Sequence, residues 1–189
     1  MIYRIIAESA FILMFVLVVL SSRKHAVGIL KYFKKPQGLA GFLRILVYLF
    51  MMLSFFIMAI SAMIPVTAGA GHLSGIMLIV HVVLAPVFIG SLAVFIILTA
   101  YRMEFHSEDL EKIRNGPPAK QDIFWQKLIF WLFAAAASTA VLAIIPMLFP
   151  VFGSEGLDVL LNIHRVAAVS MILIAAAHFW LFRPATESD

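Results

Sequence analysis

The chain contains no cysteine. That excludes disulfides, iron–sulfur ligation, thiolate metal centres and covalent C-x-x-C-H attachment of haem. Charge is also scarce. Asp, Glu, Lys and Arg together make up 13% of 189 residues, with 14 basic against 10 acidic side chains. A soluble domain of this size could not be covered with so few ionic groups. Hydrophobic residues account for 63% of the chain, 17 of them phenylalanine, and the mean hydropathy is +1.06. This is the composition of an integral membrane protein. The net charge of +4 carries no nucleic-acid signal, because the cations are distributed as membrane topology dictates. No internal repeat or low-complexity tract is visible.

Five apolar spans stand out, at about 5–22, 42–66, 74–101, 125–149 and 157–182. The expected fold is therefore all-α, an integral membrane helical bundle of five transmembrane helices. Residues 1–41 form an N-terminal transmembrane anchor with a basic linker, and 42–189 form one membrane domain. A Gly-rich turn (67–73), a charged loop (102–124) and a Pro/Gly turn (150–156) complete the connections. In the first span the basic residues follow the apolar run, which reads as an uncleaved anchor. Of the 14 Lys and Arg residues, all but Arg4 and Arg165 fall in or beside segments 23–41, 102–124 and the C-terminus. The positive-inside rule puts those segments in the cytoplasm and the N-terminus in the periplasm of a bacterial inner membrane. The linker mixes cations with Ile29, Leu30, Tyr32 and Phe33, a pattern for lying along the headgroup surface. Pro86 and Pro146 are expected to kink their spans, and Ala134 to Ala137 with Ser138 to permit close helix packing.

The last span carries His164 and His178. Ionisable groups inside a membrane segment are costly and point to function. Fourteen residues at about 100° each bring the two back to one face, roughly 21 Å apart along the axis. That face reads His164, Ala168, Met171, Ala175, His178, with small residues one turn inside each histidine, where a flat ligand needs space. With the orientation above, His81 in the third span lies at a depth similar to His164, near the outer surface, and His178 near the inner end. His81 and His164 can thus grip one haem iron from two sides, Ala85 leaving room for the porphyrin edge. The competing reading makes them polar interhelical contacts, hydrogen-bonded to each other or to a backbone carbonyl.

For His178 no histidine stands at the inner end of the second span. Met51 or Met52 is at a suitable depth, while His25 and His106 look solvated. Arg165, beside His164, suits a haem propionate or the headgroups. Glu8 and His72 read as interfacial.

The sequence His81-Val-Val-Leu-Ala-Pro86, followed two spans later by His164-Arg165 and His178, resembles the membrane cytochrome b subunits of respiratory formate dehydrogenases and hydrogenases, and bacterial cytochrome b561. The similarity covers about 42–182. It implies a four-helix cytochrome b core, preceded here by an extra helix, that passes electrons between a quinone pool and a partner redox subunit, a multihaem cytochrome c or an iron–sulfur protein. His164 and His178 match the paired ligands of that family's last helix, and His81 the outer ligand of its second core helix. The family's fourth histidine has no counterpart between Arg44 and Met52.

The expected function is non-catalytic electron transfer through one haem b at His81 and His164 and a second at His178. A haem-free structural anchor of a redox complex and a metal or solute permease are the alternatives. The topology is checked by reporter fusions. Alkaline phosphatase placed after residue 70 is expected to be active, and after residue 110 inactive; the reverse pattern overturns the orientation.

Overall fold

The computed structural model describes residues 38–67, 73–109, 111, 118–149 and 152–181. The first apolar span, residues 1–37 of the linker region, Glu8, His25, His72 and Arg183 lie outside the described residues. The described chain is helical, with four long helices: α1 (Gly38–Thr67), α2 (Gly75–Thr99), α3 (Pro118–Ile144) and α4 (Ser154–Leu181). No strand occurs among the described residues. All four helices are long and apolar enough to cross a membrane. In a bilayer a helix satisfies its own backbone polar groups, which an open strand cannot do. These are the features of a multi-pass membrane protein, and the four helices answer to the second through fifth spans of the sequence.

Helix ends follow the local chemistry. Gly75 opens α2 with φ +56°, a left-handed conformation that a Cβ would disfavour. Pro118 begins α3, where its missing N–H costs nothing; the charged loop is therefore shorter than the span boundary at 125 suggested. Ser154 and Glu155 open α4, the carboxylate lying where a helix N-terminus favours negative charge. Pro146 differs from expectation. It does not kink the fourth span but ends its α-helical part, initiating a 3-10 turn, Ile145–Leu148, in which the Phe149 N–H donates to Pro146 O at 3.1 Å. Proline disfavours α geometry in the residue before it. Pro86, by contrast, sits within a continuous α2.

The chain divides into two compact units. The first holds α1, α2 and the end of α4 from Phe179; the second runs from Ala100 to His178. In the first unit, α2 presents a heptad-like seam of His81, Ala85, Phe88, Leu92, Phe95 and Thr99. Phe55 meets Phe88 with ring centroids 6.0 Å apart, and Tyr48 meets Phe95 at 5.7 Å. Contacts that descend α1 ascend α2, so the pair is antiparallel, as its short connection requires. Phe179 contributes a further ring contact to Phe56 at 6.2 Å.

In the second unit α3 packs through alanines. Ala134, Ala137, Ala140 and Ala143 are buried, Ala137 completely (0% exposed), whereas Ala135 and Ser138 face outward. The close-packing stripe thus has a spacing of three and extends further than Ala134–Ala137. On α4, Ala167, Met171, Ala175 and Ala176 are buried, while Val159 and Val166 are nearly 60% exposed. Outward faces are largely apolar, aliphatic Ile97 and Leu142 beside aromatic Phe42 and Phe50 among them, and match hydrocarbon rather than water.

The start of α3 is pinned by polar bonds. Lys127 Nζ donates to the Asp109 carboxylate and to Glu104 O at 2.7 Å, and Trp131 Nε1, one turn on, donates to Met103 O at 2.8 Å. Asp109 also accepts the His106 backbone N–H at 3.0 Å, the reciprocal half of a capping box. Both charged side chains are less than 10% exposed. Removing one member of such a pair leaves an uncompensated buried charge, a cost of about 3–5 kcal/mol. Lys127→Met is expected to lower the thermal midpoint in detergent sharply, and the double variant Lys127→Met/Asp109→Asn to recover most of the loss. Equal melting of wild type and single variant overturns the anchoring role.

Candidate functional site

Each unit holds one of His81 and His164, and each histidine is oriented by the same device. His81, six residues into α2, places Nδ1 at 3.2 Å from Met58 O of α1, with Ser61 Oγ at 3.4 Å. His164, ten residues into α4, places Nδ1 at 3.0 Å from Ala140 O of α3. A carbonyl oxygen can only accept, so Nδ1 is the protonated nitrogen in both rings. In the neutral ring this tautomer leaves the lone pair on Nε2. A histidine bound to a metal through Nε2 has the same arrangement, since the bond from Nδ1–H fixes tautomer and ring plane and raises ligand basicity.

The approach to the backbone depends on small neighbours. Ala140 belongs to the buried alanine stripe, and its methyl leaves the carbonyl reachable by an imidazole from α4. In α1, Ser61 folds back to donate to Met58 O at 2.9 Å, so that one carbonyl accepts both the hydroxyl and the imidazole N–H. A carbonyl oxygen has two lone pairs, one for each of these donors.

The stripe expected to carry the ligands is the packed one. On α4, His164, Ala168 and His178 are half-buried and Met171 and Ala175 are buried. His178 thus lies on the same inward face as His164. Met51 is 3% exposed, inside the α1 stripe that also contains Phe55 and Ala59. Arg165 is half-buried and rotated one position from His164, while His106 is exposed, as its sequence context suggested.

Among the described residues no group of three or more His, Asp or Glu side chains comes together. A multi-carboxylate cage for a hard cation is not built from them. The α3–α4 pair does carry a groove of about 510 Å³ lined by Ala136, Thr139, Val159, Asn162, Ile163, Val166, Ala167 and Ser170. Its hydroxyls are turned to their own helices, Thr139 donating to Ala135 O and Ser170 to Val166 O, each at 2.9 Å. It is an apolar cleft, on the flank of α4 away from the histidine stripe.

Reading the sequence picked out both histidines and offered a backbone carbonyl as one possible partner, but not which carbonyl. Met58 and Ala140 contribute backbone oxygens, and these have no signature in residue type. Only Ser61, a hydroxyl in an apolar span, offered a hint.

The chain matches no protein-family model, no curated protein and no solved structure.

Ala140→Leu is expected to block the path of His164 to its carbonyl and lower the thermal midpoint. Ala135→Leu, on the exposed face of the same helix, is expected to leave it unchanged. Core overpacking of this kind costs about 1–3 kcal/mol; equal melting temperatures for the two variants overturn the assignment.

Proposed function

We propose that the chain is a b-type cytochrome membrane subunit, with His81 and His164 the axial ligands of one haem. The observation that carries this reading is the pair of Nδ1–H bonds to Met58 O and Ala140 O. Two neutral imidazoles, each with its lone pair on Nε2, are the donor set that a low-spin haem needs. When bound, the group supplies a one-electron couple between ferrous and ferric iron. The protein's part is to fix the tautomer and plane of both imidazoles through the bonds to Met58 O and Ala140 O. Held by His81 and His164, the group would have no open site for a substrate, and the proposed role is electron transfer without catalysis.

His178 and Met51 are proposed as ligands of a second haem, a His/Met pair being an accepted donor set. Arg165 is proposed to pair with a propionate of the first, through the planar fork that suits carboxylates. Electrons would pass between quinone in the bilayer of a bacterial inner membrane and a docked redox partner, a multihaem cytochrome c or an iron–sulfur protein. That partner is proposed to dock on the side of the connections at 67–73 and 150–156, which the positive-inside rule assigns to the periplasm.

A haem-free membrane anchor is the second reading. The same two hydrogen bonds favour it, because an imidazole donating to a neighbouring helix is by itself a lock between helices.

Pyridine haemochrome quantitation separates them. The expected result is a low-spin reduced α-band with one haem b at His81 and His164 and a second at His178, a stoichiometry of about two. His81→Ala and His164→Ala are each expected to remove the first haem, and His178→Ala the second, each variant keeping about half of the wild-type α-band. A well-folded chain with no haem, or one whose haem content is unchanged in both His81→Ala and His164→Ala, overturns the cytochrome reading in favour of the anchor.

A further inference from the structure

The α1–α2 seam ends, opposite His81, on polar groups whose hydrogen bonds are unmade. Tyr48 and Phe95 are in ring contact at 5.7 Å. Arg44 lies one turn before Tyr48 on α1, and Thr99 one turn after Phe95 on α2. Because the two helices run antiparallel, these turns of about 6 Å lead in the same direction. Arg44 and Thr99 therefore stand at one level, just beyond the Tyr48–Phe95 pair. Arg44 Nε and Thr99 Oγ1 are both buried and make no hydrogen bond among the described residues. Thr99 is 7% exposed.

Two comparisons within the protein make this unusual. Ser54, Ser61, Ser91, Thr139 and Ser170 all return their hydroxyls to a carbonyl three or four residues earlier, the ordinary way for a helix to satisfy one. Thr99 does not. An arginine that only snorkels would extend its whole guanidinium to water. Arg44 keeps Nε inside while its side chain as a whole is half-exposed, so part of the guanidinium is enclosed at the level of Thr99 and the rest remains reachable.

We propose that Arg44 and Thr99 form a binding site for the phosphate of an anionic phospholipid headgroup at this end of the α1–α2 hairpin. The Nε–H and one Nη–H of a guanidinium form a flat edge that meets two oxygens of a phosphate at once. The Thr99 hydroxyl adds a third donor. The Tyr48–Phe95 rings form the floor, separating the charge from the apolar seam. The source of the phosphate follows from depth. Leu39, Phe42 and Ile97 project outward from the same turns, at the boundary of the apolar spans Gly41–Pro65 and Gly75–Met103. A headgroup phosphate stands at that boundary with its acyl chains running along those side chains. The site makes no use of the haem reading.

The test is native mass spectrometry of the purified full chain, delipidated and titrated with phosphatidylglycerol, with phosphatidylcholine as the zwitterionic control. Wild type is expected to retain at least one phosphatidylglycerol in preference to phosphatidylcholine. Loss of a charge-assisted pair is expected to weaken that retention about tenfold or more in Arg44→Gln. Thr99→Val, nearly isosteric and soundly folded by thermal melt, is expected to weaken it several-fold. Haem content serves as a separate readout and is expected to stay at the wild-type value in Thr99→Val. Undiminished lipid retention in both variants overturns the site. Displacement of the lipid by millimolar inorganic phosphate overturns the assignment to a headgroup and points to a free oxyanion. If Arg44→Gln does not fold, Thr99→Val decides alone.

Discussion

The structure turns on a hydrogen bond made twice, from an imidazole Nδ1–H to a backbone carbonyl of the helix before it. Met58 O serves His81, and Ala140 O serves His164. In an apolar surrounding a neutral histidine must place its N–H somewhere, because an unmet donor there is expensive. Here the partner is a backbone atom whose position a helix already dictates. The bond therefore joins two helices, selects the tautomer and aims the ring together. Much of the local sequence is arranged around it: Ala140 is small where the ring must pass, and Ser61 shares the same carbonyl.

Packing is organised differently in the two units. Aromatic rings fill the α1–α2 seam, with Phe55 on Phe88 and Tyr48 on Phe95. The second unit uses methyl groups, so that α3 offers its backbone through the alanines at 134, 137, 140 and 143. The first arrangement leaves room between helices that large side chains occupy. The second brings backbones within reach of side-chain donors, the geometry that small residues permit in membrane helices. Lys127, in the first half of α3, is tied to Asp109, and Arg44 and Thr99 stand toward one end of the α1–α2 seam. A buried charge is tolerable there because partners and headgroups lie close by.

Composition and span length were enough to establish an all-helical chain able to cross a membrane four times within the described residues, since an uninterrupted apolar stretch of that size has few other physical solutions. The periodicity of α4 also showed in advance that His164, Met171, Ala175 and His178 share one face, because a fourteen-residue separation nearly closes on itself in a helix. Tertiary structure alone decided the rest. Backbone acceptors such as Met58 O and Ala140 O look alike in every sequence, and which one a histidine reaches depends on how two helices are set against each other. Pro146 was legible as a disruption, yet whether it bends or ends a helix depended on what followed it in space. Arg44 and Thr99, fifty-five positions apart in the chain, become neighbours only because α1 and α2 pair antiparallel, and no local pattern encodes that meeting.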